Sequence, residues 1–319
     1  MKIDMIKQRY LKILRIVVSV VVFLMITLLW IEYGSFFMCS VGWIEKSQIF
    51  PTAMMFSAGM LIFWMLVSML FGRIYCSTVC PLGTWLDFVG HVGHCTRKKD
   101  YHYSPALTAW RYGSLLVVAI CFILNIALIP VLVEPYSLYS RFVVGYMKPV
   151  WGSINNLLAS VGDASGWWSI EQVGIVRASL TGMLLTGVSM LAVSIMAWFF
   201  GRTYCNSICP IGTLLGLASN QSVWHIDIDT DMCTNCRRCE EVCKASCIDL
   251  NDHVVDRSRC VNCFNCISAC RDEAIFYRAE CKQLSIPMLM KISEPKVAAD
   301  TSGPVEFNED INHEKSNTE

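Results

Sequence analysis

"FGRIYCSTVCPLGT", residues 71–84, places two cysteines, an arginine and a proline where an apolar run of about membrane length has just ended. "FGRTYCNSICPIGT", residues 200–213, repeats the stretch with Phe, Gly, Arg, Tyr, both Cys, Pro, the second Gly and Thr unchanged. The chain therefore reads as two copies of one unit, each an apolar stretch ending in a C-x3-CP motif.

The surroundings of the repeat fit that reading. Of 319 residues, 54% are hydrophobic and only 16% charged, far from a soluble domain. Four stretches lack Asp, Glu, Lys and Arg altogether: Ile16 to Ile31, Ser47 to Gly72, Tyr112 to Val133 and Ala178 to Gly201. A helix needs about 20 apolar residues to cross the hydrocarbon core, so the last three suffice and the first is extended by snorkelling of Lys12 and Arg15. No small-residue cleavage site follows the first stretch, which reads as an anchor and not a cleaved signal. Lys2, Lys7, Arg9, Lys12 and Arg15 lead it, and Arg73, Arg97, Lys98, Lys99 and Arg111 follow the second, against Lys46 in the first outer loop and Arg141, Lys148 and Arg177 in the second. The positive-inside rule then puts both termini and both motifs in the cytoplasm. The outer segment Glu134 to Arg177, with Trp151, Trp167 and Trp168, suits the membrane interface.

Twelve of the seventeen cysteines fall in tight, regular clusters, which speaks against a secreted disulfide scaffold and for metal ligation. Balanced charge gives no basic stripe for nucleic acid. "CTNCRRCEEVC", residues 233–243, and "CVNCFNCISAC", residues 260–270, share the C-x2-C-x2-C-x3-C spacing in which three thiolates hold one cluster and the fourth reaches the other. Cys233, Cys236, Cys239 and Cys270 are thereby assigned to one [4Fe–4S] cluster, and Cys260, Cys263, Cys266 and Cys243 to its neighbour. Zinc also binds C-x2-C pairs, but two identical four-cysteine runs favour iron–sulfur. The usual proline after the fourth cysteine is Lys244 in one run and Arg271 in the other, a change expected to act on potential and solvent access. Cys247 is read as a small buried hydrophobe and not as a ninth ligand.

From Ile16 to Cys281 the chain resembles the membrane-bound polyferredoxins related to the NapH quinol-dehydrogenase subunit, with NosR and CcoG as more distant relatives. "CSTVCP" (Cys76 to Pro81), "CNSICP" (Cys205 to Pro210), the four apolar stretches and the double ferredoxin run carry that resemblance. Residues four apart share a helix face, so Cys76 with Cys80 and Cys205 with Cys209 present paired thiols if helical there, and a pseudo-twofold brings all four to one site. Three roles stay open for them: ligands of a third iron–sulfur or metal centre, a redox-active dithiol or transient metal site, or packing. Arg73 and Arg202 are read first as interface anchors, and second as cations that lower thiolate pKa or offset cluster charge. Gly72 and Gly201 end helices, and Pro81 and Pro210 start them. His91, His94 and Cys95 are read as solvated or interfacial, Cys121 as packing, and Cys39 is left without a role.

The expected fold is a mainly α membrane protein: four transmembrane helices and a cytoplasmic α+β two-[4Fe–4S] ferredoxin-like domain. Residues 1–15 form a basic cytoplasmic tail, 16–223 the four-helix membrane domain, 224–283 the ferredoxin domain and 284–319 a disordered acidic tail, with seven acids against three lysines. The resemblance implies a multi-pass protein of a bacterial-type cytoplasmic (inner) membrane passing electrons between the quinone pool and a redox partner protein. Two [4Fe–4S] clusters, a third centre and quinone are the cofactors it implies, and membrane lipid is its surroundings. No quinone pocket is nameable residue by residue, and no G-x-G-x-x-G fingerprint is present. The relatives also imply a second function, a membrane maturation factor that reduces or delivers a metal for a respiratory enzyme. A third reading makes the protein a membrane scaffold whose clusters only stabilise it.

Overall fold

The computed structural model describes residues 2–31, 58–97, 100–124, 126, 128–165, 172–174 and 179–279. Cys39, Trp167, Trp168, Cys281 and the acidic tail lie outside the described residues.

Nothing between residues 2 and 31 interrupts a helix, neither Pro nor Gly, and α1 runs from Lys2 to Ile31. One stripe of it turns inward. Ser19 Oγ lies 2.7 Å from Thr84 Oγ1, Ile26 is buried, Thr27 Oγ1 lies 2.7 Å from Tyr139 Oη, and Trp30 Nε1 donates to Tyr136 Oη at 3.2 Å. Val17, Val20, Val21 and Leu24 stay exposed on the other side. α2, Ala58–Phe71, precedes the first motif, whose short helix α3 is Tyr75–Thr78 and whose second helix α4 is Pro81–Arg97. After α5 (Thr108–Ile123) and α6 (Leu128–Val133), α7 (Pro135–Phe142) continues through a π turn, Val143–Met147, into α8, Lys148–Ser165. α9, Leu180–Phe200, leads to the second motif with α10, Thr203–Ser207, and α11, Pro210–Ser219. In α9 the buried Thr186, Met190, Val193 and Ala197 form one stripe at helical spacing, while Leu184, Val188, Leu191 and Ile195 are exposed.

Among the described residues two helices, Tyr10–Ile31 and Leu180–Phe200, are long and apolar enough to cross a membrane. The stretch Tyr112 to Val133, expected as a straight crossing, forms a hairpin instead. Pro130 has no N–H for a helical bond, α5 stops at Ile123, and α6 returns along it, so that Val133 shares a crevice with Trp110 and Gly113. The Val133 carbonyl accepts from Tyr204 Oη at 2.5 Å, which sets it beside the second motif. Glu134, expected at the start of an outer segment, is consequently fully buried and caps α7, accepting from Tyr136 N at 3.0 Å and from Ser137 N.

The cysteine-rich segment folds on two antiparallel pairs. β1 (Trp224–Ile228) pairs with β4 (Ile275–Ala279), placing Ile226 opposite Tyr277, and β2 (Ile248–Asp249) pairs with β3 (Val254–Val255). α12 (Arg238–Glu241) and α13 (Asn265–Ala269) hold the middle of each cysteine run. Residues 1–280 make one compact unit, so this fold packs directly on the helices. The last carbonyls of α2 have no helical partner, and the cysteine-rich fold supplies donors: Val223 N to Met69 O at 3.0 Å, Tyr277 Oη to Phe71 O at 3.0 Å, and Asn262 Nδ2 to Phe71 O.

Candidate metal centres

Two small cavities sit in the cysteine-rich fold. Cys233, Cys236, Cys239 and Cys270 line one, and Cys243, Cys260, Cys263 and Cys266 line the other, joined there by Cys247. These are the two quartets that the interleaved spacing assigns. The backbone around them is bent alike in both runs: Asn235, Arg237 and Ser246 have positive φ, and so do Asn262, Phe264 and Glu273, each 27 residues on. Left-handed conformation is costly for side chains of this kind, and its recurrence at equivalent positions marks loops wrapped round a bound group. Among the described residues no three of His, Cys, Asp or Glu are grouped as around a single metal ion. Sulfur-only quartets spread round a cavity fit an iron–sulfur cubane, whose four irons keep their thiolates further apart than one zinc ion does.

The first quartet faces outward, with Cys236 exposed and Cys233 half-buried. The second faces the helices, and Cys263 packs against the core that contains Cys76, Cys80, Cys205 and Cys209. Cys247 is buried, as expected of a small hydrophobe, but its Sγ lies 3.6 Å from Cys243 Sγ, an interaction that holds the Cys243 thiol below its ordinary value.

The four motif cysteines are all buried and close enough for their charges to act on one another. They do not share one helix face. In each motif the first cysteine sits in a short helix and the second lies between that helix and the next; Cys209, extended, caps α11 by accepting from Gly212 N at 3.3 Å. Gly72 and Gly201 do end their helices, at φ +79 and +63, and Pro81 and Pro210 do open the next ones.

Arg73 and Arg202 are not interface anchors, being 0% and 1% exposed. Each reaches across to the other repeat: Arg73 Nη2 donates to Cys205 O at 3.1 Å, and Arg202 Nη1 to Cys76 O at 2.6 Å. Arg73 Nη2 also lies 3.9 Å from Cys76 Sγ. The second glycine of each motif makes room for this crossing. A Cβ on Gly83 would meet Cys76 O at 2.3 Å, and one on Gly212 would meet Cys205 O at 2.1 Å. Burial, then the charge of the neighbouring thiols, pushes Cys80 and Cys209 well above the usual thiol range. Burial raises Cys205 also, with Arg202 and Arg73 pulling against it. Raised thiols are poor nucleophiles as they stand, and among the described residues no three of these four are grouped as around a single metal ion.

Several docking residues carry no motif. Lys244, in the place of the usual proline, accepts from Arg202 N at 2.8 Å through its carbonyl and sets its ammonium 3.4 Å from Asp87. Asp87 also takes Arg202 Nε at 2.9 Å and Arg15. Burial pushes the Asp87 carboxyl up, but Arg202, Lys244 and Arg15 outweigh it and hold it well below the usual carboxylate range. Residues 101–104 strap the cysteine-rich fold: Tyr103 N donates to Glu240 Oε1 at 2.8 Å and Arg259 Nη1 to Ser104 O at 2.6 Å. Of the expected solvated residues, His91 and Cys95 are exposed, but His94 is stacked on Tyr101. Cys121 is buried in α5, as expected of a packing residue.

A model of a 4Fe-4S binding domain matches residues 52–99 and 183–226, the two segments that hold the repeated motif. The chain is 23% identical over 185 residues to "Putative electron transport protein YccM" of Escherichia coli strain K12, covering 58% of this chain and 44% of that protein. Both support an iron–sulfur electron-transfer family. A shorter match, 30% identical over 74 residues, is to the uncharacterized protein MJ0749 of Methanocaldococcus jannaschii and covers 22% of this chain and 30% of that one. The chain thus spans less than half the length of either relative. No solved structure matches.

Proposed function

We propose that this is an integral membrane electron-transfer protein that links the quinone pool to a redox partner. Cys233, Cys236, Cys239 and Cys270 hold an outer [4Fe–4S] cluster, Cys260, Cys263, Cys266 and Cys243 an inner one, and Cys76, Cys80, Cys205 and Cys209 a third centre. The observation that supports the reading is that Cys263 packs against the buried core to which Cys76, Cys80, Cys205 and Cys209 belong. When bound, each cluster takes and gives one electron at a time. The chain's part is to bury the inner thiols, to balance their charge with Arg73 and Arg202, and to leave the outer set open to a soluble partner.

The membrane reading rests on the apolar outer faces of α1, α2, α5, α8 and α9, too extensive for water. Four crossings remain the proposal, and α1 and α9 are the described helices long and apolar enough for two of them. Both motif ends, and with them the ferredoxin domain and the termini, then face the cytoplasm.

Iron and acid-labile sulfide content, with EPR of the reduced protein purified without air, tests the assignment. About twelve irons per chain are expected, falling to about eight in Cys76→Ser/Cys205→Ser with loss of one EPR component. About eight in both would remove the third centre. Copper bound in place of that iron would make the motif a metal-delivery site instead.

A further inference from the structure

A cavity of about 580 Å³ opens where α1, α4 and the cysteine-rich fold meet. Three cations line it, Lys12 and Arg15 from α1 and Lys244 from the cysteine-rich fold, and Asp87 on α4 is the one carboxylate among its lining residues. That carboxylate is shared: Arg15 and Lys244 pair with it, and so does Arg202, which lies outside the lining. Lys12 Nζ donates instead to the Ser268 hydroxyl at 3.0 Å, a partner that brings no charge. Positive charge is therefore in excess here, and a cleft with such an excess attracts an anion. Toward its mouth the cavity changes character. Ile16 and Val20 on α1 and Phe88 on α4 line it and are 42%, 45% and 63% exposed. Lys12, Ile16 and Val20 follow one another four residues apart, so one face of α1 passes from cation to apolar surface within about 12 Å.

We infer that this cavity binds the headgroup of an anionic phospholipid, an inference that rests on the membrane reading above. Lys12 and Lys244 meet the phosphodiester, and an acyl chain leaves past Ile16, Val20 and Phe88 into the bilayer. Lysine suits the task, being a point charge that meets phosphate oxygens without a fixed fork geometry. Arg15, buried against Asp87, adds charge rather than a contact. A zwitterionic headgroup fits less well, because its own ammonium joins cations that one carboxylate already fails to balance. A soluble phosphate fits the basic end but leaves the apolar mouth unused. With the termini inside, Lys12 and Arg15 stand where α1 leaves the cytoplasmic face, and basic pockets at that level are where anionic headgroups collect. Such a lipid touches α1 and the cysteine-rich fold at once, and so holds that fold against the membrane.

Native mass spectrometry of the purified, iron-loaded protein, released from detergent with added lipid, tests the site. Phosphatidylglycerol is expected to bind about fivefold or more tightly than phosphatidylcholine of the same chains, and to raise the melting temperature where phosphatidylcholine does not. Lys12→Gln should weaken phosphatidylglycerol about fivefold, the worth of one cation beside an anionic headgroup, and leave phosphatidylcholine unchanged. Lys244→Gln should do the same; Cys243 is its neighbour, so if that variant loses iron the Lys12→Gln result, on a different element, decides. Arg278→Gln removes a 48% exposed cation elsewhere and should change neither lipid. Equal binding or equal melting with the two lipids overturns the site, as does a preference that survives Lys12→Gln or falls as far in Arg278→Gln. Displacement by inorganic phosphate makes the cavity a soluble-anion site and overturns the lipid. In each of these cases a protein that is monodisperse only in detergent leaves the membrane reading standing. A protein that is monodisperse without detergent and binds neither lipid overturns both readings together.

Discussion

Asp87→Asn keeps the shape of a side chain and removes the charge on which three cations converge. Arg202 Nε is 2.9 Å from Asp87 and Lys244 Nζ 3.4 Å, with Arg15 completing the set. Arg202 is 1% exposed and Arg15 7%, so neither can take its charge into water, whereas Lys244 at 14% has a way out. Removing one partner of a buried pair costs about 3–5 kcal/mol, and two stranded guanidiniums put the expected loss in the upper half, about 4–5 kcal/mol. That is roughly a thousandfold in the folding equilibrium. Tryptophan fluorescence during a denaturant titration in detergent measures it. Adding Arg202→Met should recover at least half, because an apolar side chain of similar volume strands no charge. The pH dependence carries a sign as well. Since its neighbours hold Asp87 below the ordinary carboxylate range, its contribution is complete above the unfolded value of about 3.9 and is lost as the pH falls below it. Wild type and Asp87→Asn should therefore converge by about 1.4 kcal/mol per unit below that point. A loss under about 1 kcal/mol at pH 7, or a gap unchanged at pH 3, would refute the ion cluster as the clamp between α1, the second motif and the cysteine-rich fold.

Two further outcomes follow from single contacts. Cys247→Ala removes the thiol 3.6 Å from Cys243. A weak hydrogen bond of about 0.5–1 kcal/mol to a cluster ligand favours the reduced, more negative state, so its loss should lower the inner cluster's potential by about 20–40 mV without loss of iron, as read by EPR redox titration. Gly212→Ala sets a Cβ 2.1 Å from Cys205 O and 2.7 Å from Arg73 Nη2, a collision with backbone that cannot retreat. It should cost about 3 kcal/mol or more, whereas Gly113→Ala, with nothing within 4 Å, should gain about 0.5–1 kcal/mol, both read in thermal melts.

The parts legible in the sequence are those whose determinants are local. Cluster ligands must follow one another at short spacing, so the two quartets could be written down from residue order alone, and the cavities gather the same eight cysteines. The repeated motif likewise put its four cysteines in one buried core. What joined them was not legible. Arg73 and Arg202 bond to backbone carbonyls of the opposite repeat, and a carbonyl leaves no mark in sequence, so an arginine at the end of an apolar run reads as an anchor. The hairpin of α5 and α6 was hidden because hydropathy counts apolar residues without regard to direction, and only Pro130 offered a hint. Lys244 had a signal, the departure from the usual proline, but its meaning lay in Asp87, more than 150 positions away.

The crossing of the two arginines has a consequence for how the site is assembled. Each repeat supplies two thiols and one guanidinium, and each guanidinium donates to the backbone carbonyl of the other repeat's first cysteine, so neither half is complete alone. An arginine left buried without that partner would be costly enough to keep the halves from packing, and the four thiols therefore meet only when both repeats are folded. The cysteine-rich fold then closes on this pair through Ser258, whose carbonyl accepts from Arg73 Nη1 at 3.0 Å, and through the Lys244 carbonyl held by Arg202 N. Both motif arginines are thus bonded to the fold that carries the inner quartet. Moving that quartet away from the motif cysteines would break a bond to the buried Arg73 guanidinium and one to the Arg202 backbone at once. Such a joint resists hinge motion, and it keeps the separation between the inner quartet and the motif site fixed while the outer quartet remains open to solvent.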